Sequence, residues 1–175
     1  MLGSQVNGGD VGYKMNLLSL IDPDTEWSYL LPDQKQMKGD YEGFNFLGIG
    51  MLFLGLVAVF KVLRLFKLPN RKKVKPLLIL SMCLFIISLS NQIALGENEL
   101  FAYSWPKVMA VFRVTGRFFW PVYYMIYSAI FYIIFQVVKP EKAIVLMSLL
   151  FFIGLSDSSD MHNSFRNKFM KRLWD

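Results

Sequence analysis

LLILSMCLFIISLSNQIAL, residues 77–95, runs for nineteen positions without a charged side chain. A helix needs roughly 20 apolar residues to cross a bilayer, so this run predicts a transmembrane span. Three further apolar runs support the same reading. FNFLGIGMLFLGLVAVF covers 44–60, a run opening on two Phe and a Trp covers 118–138, and AIVLMSLLFFIGLS covers 143–156. The last is short enough to be a span with polar flanks, a re-entrant helix or a buried core helix. The chain is 54% hydrophobic and 16% aromatic, and the excess collects in these four runs. The expected fold is therefore an all-α integral membrane protein with about four transmembrane helices and interfacial helices in the external loops.

Charge orders the loops. Seven of the nineteen Lys and Arg fall between Lys61 and Lys75, directly after the first run. A short basic loop marks the cytoplasmic side, so topology accounts for the net charge of +6 without nucleic acid. No zinc-finger, RNP or helix-turn-helix pattern accompanies it. Residues 1–43 then form an external segment, 44–156 the transmembrane region and 157–175 an external tail, in a multi-pass protein of the inner (plasma) membrane. Residues 1–43 contain no secretory signal pattern, and earlier spans are expected upstream of them. The single cysteine, Cys83, excludes a disulfide within the chain and reads as a small packing residue. Asn91, Gln92 and Gln136 are polar in apolar runs and suit hydrogen bonds between helices.

The external face holds the candidate chemistry. In FRVTGRFFWP, residues 112–121, Arg113 and Arg117 are four apart and would share one helix face at the membrane boundary. Gly116 between them admits a ligand or another backbone. Burying an arginine at the bilayer centre costs about 2.5–3.5 kcal/mol, so both belong at the interface. There they either anchor the helix end on lipid headgroups or grip a substrate phosphate through paired hydrogen bonds. Asp40 and Glu42, in KGDYEGFN, either bind a divalent metal or act as a general base, or else serve as helix N-terminal charges. Asp22, Asp24 and Glu26 precede Trp27 and Tyr29, a pattern for a sugar-lining loop or a solvated turn. Asp157, Asp160 and His162 have no recognised metal-ligand spacing, and no metal site is assigned. No P-loop, G-x-S-x-G, H-E-x-x-H or C-x-x-C occurs.

Three stretches together are more specific: YKMNLLSLIDP (13–23), GDYEGFNFLGIG (39–50) and FRVTGRFFWP (112–121). In this order they resemble an uncharacterised family of bacterial multi-pass membrane proteins that is itself similar to GT-C glycosyltransferases. The resemblance covers about residues 12–157. It implies part of a longer membrane glycosyltransferase-like protein using a polyprenyl-phosphate-linked sugar at the external face, with the catalytic loop upstream. Arg113 and Arg117 would then hold the donor phosphate, and Asp40 and Glu42 would close the pocket, with a divalent metal as an optional cofactor. A non-catalytic module that binds a lipid phosphate, or assembles with other membrane proteins, explains the same residues without chemistry.

Overall fold

The computed structural model describes residues 14–24, 27–35, 43–65, 71–104, 114–159 and 166. In order, the elements are α1 (Ile49–Leu65), α2 (Arg71–Ser88), β1 (Gln92–Leu95), β2 (Asn98–Ala102), a 3₁₀ turn (Gly116–Phe119), α3 (Trp120–Val137) and α4 (Pro140–Asp157). They belong to two compact units. The first comprises Met1–Ser19, Lys35–Asn45 and Lys75–Tyr123; the second comprises Leu20–Gln34, Phe46–Val74 and Tyr124–Asp175.

The first unit corrects the expected fold. The run 77–95 is not one helix. α2 stops at Ser88, and Ser90 takes a left-handed φ of 60°, the conformation that commonly ends a helix and that glycine usually supplies. The chain then enters a two-stranded antiparallel sheet in which Gln92 faces Ala102 and Leu95 faces Asn98, with an irregularity between Ile93 and Ala94. Gly96, at φ 61°, opens the turn between the strands, where a two-residue hairpin loop takes glycine. Among the described residues the fold is therefore mixed, with four α-helices and a two-stranded hairpin, and not a four-span all-α membrane protein with interfacial helices. Among the described residues, only the segment Gly116–Val137, 22 residues with a mean hydropathy of 1.6, is long and apolar enough to cross a membrane. The apolar parts of α1 and α2 are shorter, Ile49–Leu63 and Val74–Ser88. α4 carries Glu141 and Lys142 in its first turn and Asp157 in its last.

Asn16 organises this unit. Its side chain is almost fully buried. Its Nδ2 donates to Gly96 O at 3.0 Å, and its Oδ1 accepts from Gly96 N at 3.0 Å and Leu18 N at 3.1 Å. The carboxamide thus pairs with the hairpin turn as a neighbouring strand would. The backbone on either side continues the pattern, with Met15 N donating to Ser88 O and Leu17 N to Ala94 O, both at 3.0 Å. Gly43 and Gly116 complete the crossing. A Cβ on Gly116 would lie 2.6 Å from Gly43 Cα, and one on Gly43 would collide with the Lys14 carbonyl. The close approach expected at Gly116 is therefore made by another stretch of this chain's backbone.

In the second unit α1 packs on α4, and α3 joins them around Leu54, Ala58, Ile130, Ile134, Ala143 and Leu150. Gly50 makes the approach possible, since a Cβ there would collide with the Leu150 carbonyl. Gly48, at φ 79°, turns the chain into α1, and its carbonyl accepts from Leu52 N at 3.0 Å. Tyr127 Oη on α3 donates to Leu47 O at 2.7 Å and fixes that entry. α3 ends where Lys139 takes the extended conformation required before proline, and Pro140 opens α4.

Asn16→Ala leaves the two buried Gly96 backbone groups and the part-buried Leu18 N–H without this partner, and orphaned buried groups cost about 1–3 kcal/mol each. The expected loss is on the order of 3 kcal/mol, read as a fall of roughly 10 °C in the melting temperature of the purified chain. Gly116→Ala drives a methyl into Gly43 and should cost about 2–3 kcal/mol by overpacking. Gly154→Ala is the control: no atom lies within 4 Å of the new Cβ, so the helix should be unchanged or slightly stabilised.

Candidate functional site

The most distinctive concavity in the second unit is an apolar groove of about 870 Å³ between α1 and α3. Its walls are aliphatic. From α1 come positions such as Met51, Gly55, Val59 and Val62, and from α3 come Ile126, Ala129 and Ile133. These spacings of three and four put one stripe of each helix on the groove. Small side chains make the space, because Gly55 and Ala129 stand where a larger residue would fill it. The rim is exposed hydrocarbon, including Leu56 at 67% and Leu63 at 81% exposure. Gln34 is the one polar side chain in the lining. The volume lies within the range of ordinary ligand pockets, about 300–1,000 Å³.

One end of the groove is closed by Ile21, Leu31 and Pro32 from the segment 20–34. Two carboxylates staple that segment. Asp22 is buried, and its Oδ1 accepts from Gln34 N at 3.2 Å and from Asp24 N at 3.4 Å. Asp157, at the end of α4, is also buried, and its Oδ1 accepts from Tyr29 N at 3.0 Å and Leu30 N at 2.9 Å. Ser28 Oγ accepts from Leu31 N at 3.0 Å. Backbone N–H groups that would otherwise face an apolar wall are thereby satisfied.

These contacts reassign several residues. Asp22 and Asp157 hold backbone, in place of the sugar-lining and metal-binding options. Asp24 sits in the turn with a left-handed φ of 46°, while Trp27 and Tyr29 are exposed. Glu26, Asp160 and His162 lie outside the described residues, as do Asp40, Glu42 and Arg113. Among the described residues, no group of three His, Cys, Asp or Glu side chains is arranged to hold a metal ion. Asn91 and Gln92 do not bridge helices. Asn91 Oδ1 accepts from Ser90 Oγ at 3.0 Å, and Gln92 Oε1 accepts from Lys14 Nζ at 3.0 Å. Gln136 is exposed on α3, and Cys83 is exposed on α2, where the sequence suggested a packing role.

Arg117 belongs to the first unit, in the 3₁₀ turn that leads into α3. It is exposed, and its guanidinium carbon lies 5.8 Å from the centroid of the Trp120 ring. That is within cation–π range, about 6 Å. The ring holds the guanidinium at the start of a helical segment long enough to cross a bilayer. Sequence reasoning found this arginine and missed the groove. The signal for the groove was the recurrence of small residues, Gly55, Ala58 and Ala129, on otherwise bulky aliphatic helices.

No curated protein and no solved structure matches the chain. A family model described as a domain of unknown function, DUF6311, matches residues 1–159. That match takes in both units' described segments almost entirely, and the chain belongs to the DUF6311 family.

Proposed function

We propose that the chain is part of a membrane-bound glycosyltransferase-like protein that acts on a polyprenyl-phosphate-linked sugar, and that the groove between α1 and α3 receives the isoprenoid tail. The observation that carries this reading is the groove itself. Its wall is aliphatic and it contains no charged side chain. A linear branched hydrocarbon matches that surface, and each buried methylene is worth about 0.8 kcal/mol. A free sugar or nucleotide would bury its polar groups there without partners, at a cost of about 1–3 kcal/mol each. The resemblance of the three motif stretches to GT-C-like proteins supplies the sugar-phosphate part of the reading.

Within the first unit, taken by itself, Arg117 is the described residue suited to a phosphate group. A guanidinium offers paired N–H donors whose planar fork matches phosphate oxygens. When the sugar leaves a polyprenyl phosphate, negative charge grows on the phosphate, and a fixed cation directed at it lowers the barrier. The partner arginine, Arg113, and the acids Asp40 and Glu42 complete the proposed donor-binding set.

Ala129→Phe adds a ring inside the groove from an exposed position. It should weaken binding of polyprenyl phosphate to the purified chain at least about tenfold while leaving the melting temperature unchanged. Arg117→Ala should weaken the phosphorylated lipid by about 10–100-fold, the worth of a hydrogen bond to a charged group, and should leave the free polyprenol unaffected. Both are measured by titration of labelled lipid in detergent micelles. Equal binding of polyprenyl phosphate by the native chain and the Ala129→Phe variant removes the groove from the reading. Failure of the intact protein to transfer sugar from any polyprenyl-phosphate donor removes the enzymatic part.

A further inference from the structure

α2 is apolar on every side. Leu77, Leu78, Ile79 and Leu80 follow one another and are exposed at 48, 63, 54 and 53%. Successive residues on a helix step by about 100°, so these four point around the whole circumference. Met82 and Ile86 continue the exposure further along. A helix on a water-facing surface shows one apolar stripe, and one apolar all round belongs in a protein core or in lipid. A protein partner would cover one face of α2. Hydrocarbon solvent covers all of them.

The start of α2 names the kind of lipid. Its first turns carry Arg71, Lys72, Lys73 and Lys75, with no acid in the first turn. Cations at a helix N-terminus work against the helix dipole, so the helix itself gains nothing from them. Anionic headgroups complement them, at about 1 kcal/mol for each basic residue near the surface.

The far end of α2 has the property that a helix ending inside hydrocarbon requires. The apolar segment Val74–Ser88 is fifteen residues, about 22 Å at 1.5 Å each, against a hydrocarbon core of about 30 Å. Non-helical backbone at that depth is tolerated only when protein satisfies its polar groups. Here the protein does so. Phe85 O accepts from Leu89 N and from Ser88 Oγ, Ile87 O accepts from Ser90 N, and Ser88 O accepts from Met15 N. Tyr103 satisfies two further carbonyls, donating from Oη to Ser90 O and from N to Asn91 O, both at 2.9 Å. Ser88, Ser90 and Asn91 are all buried.

We infer that α2 is a lipid-immersed helix too short to cross the bilayer, rooted by residues 71–75 in the anionic headgroups of one leaflet and ending in a sealed break at Ser88–Asn91 within the hydrocarbon. The placement rests on the bilayer location proposed above and on no sugar chemistry, so the donor and the helix are tested apart.

Cys83 allows the test in the native chain, because it is the single cysteine and is exposed. It lies eight residues beyond Lys75, about 12 Å deeper along the axis. The full chain carries a fluorophore on Cys83 and is reconstituted in phosphatidylcholine vesicles with or without phosphatidylglycerol. The expected result is strong quenching by phosphatidylcholine brominated near the chain ends and none by aqueous iodide. Lys73→Gln with Lys75→Gln should lower the enrichment of phosphatidylglycerol around the protein by about fivefold per residue. Amide hydrogens of Leu89 and Ser90 should exchange slowly in the same vesicles. Iodide quenching of Cys83 comparable to that of free dye overturns the immersion. An unchanged lipid preference in the double variant overturns the anionic root, and rapid exchange at residues 89–90 overturns the sealed break.

Discussion

The pairing of the Asn16 carboxamide with the Gly96 peptide is the constraint from which the first unit follows. A side-chain amide has the same donor and acceptor as a peptide group, so Asn16 adds to the hairpin turn without an additional strand. Once it is in place, residues 15–17 lie between Ser88 and Ala94 and satisfy the carbonyls of both. α2 must then end where it does, and the hairpin must turn at Gly96. Gly43 and Gly116 allow the remaining segments to pass at backbone distance. The motif around Asn16, which suggested a family, is thus an architectural element, and its chemistry is that of the peptide backbone.

The second unit uses acids for a similar purpose. Asp22 lies in a stretch that reads as a sugar-lining loop or a solvated turn, and Asp157 in one without recognised metal-ligand spacing. In three dimensions each is buried and each accepts two backbone N–H groups of the segment that closes the apolar groove. A carboxylate offers up to about four acceptor positions, which makes it an efficient partner for a tight irregular segment with few carbonyls nearby. The groove depends on these two residues for its closed end and on Gly55 and Ala129 for its width. The candidate binding surface is therefore built by residues that do not contact any ligand through a charge.

Sequence made the location of helical structure legible, because uncharged aliphatic runs in this chain do become helix along much of their length. It did not reveal where the run 77–95 changes from helix to strand. Ile, Leu and Ala suit both states in a buried setting, and the switch is made by Ser90 in a left-handed conformation without a glycine or proline to signal it. Nor does an apolar run specify its surroundings, which is why four runs read as four spans while, among the described residues, one helical segment has the length and composition to cross. At the candidate site, Arg117 was visible as a basic residue directly before an aromatic run. The groove was not, because it arises from side chains that are small, and their absence of bulk only matters once α1 and α3 stand side by side. The roles of Asp22 and Asp157 could not be read because their partners are 12 and more than 120 residues away.

The clasp of Asp157 on Tyr29 joins residues 128 positions apart, and this separation bears on how the protein is made. Contacts between distant residues are slow to form, since the entropy of closing a long loop must be met before any of them gives a return. Emerging from the ribosome, the segment 20–34 and α1 would wait for α4 before they could settle, their greasy surfaces uncovered in the meantime. Such a chain is prone to sticking to its neighbours during synthesis. Early delivery to a membrane or to a chaperone would shelter it over that interval, and the final residues of α4 would act as the clock that ends it.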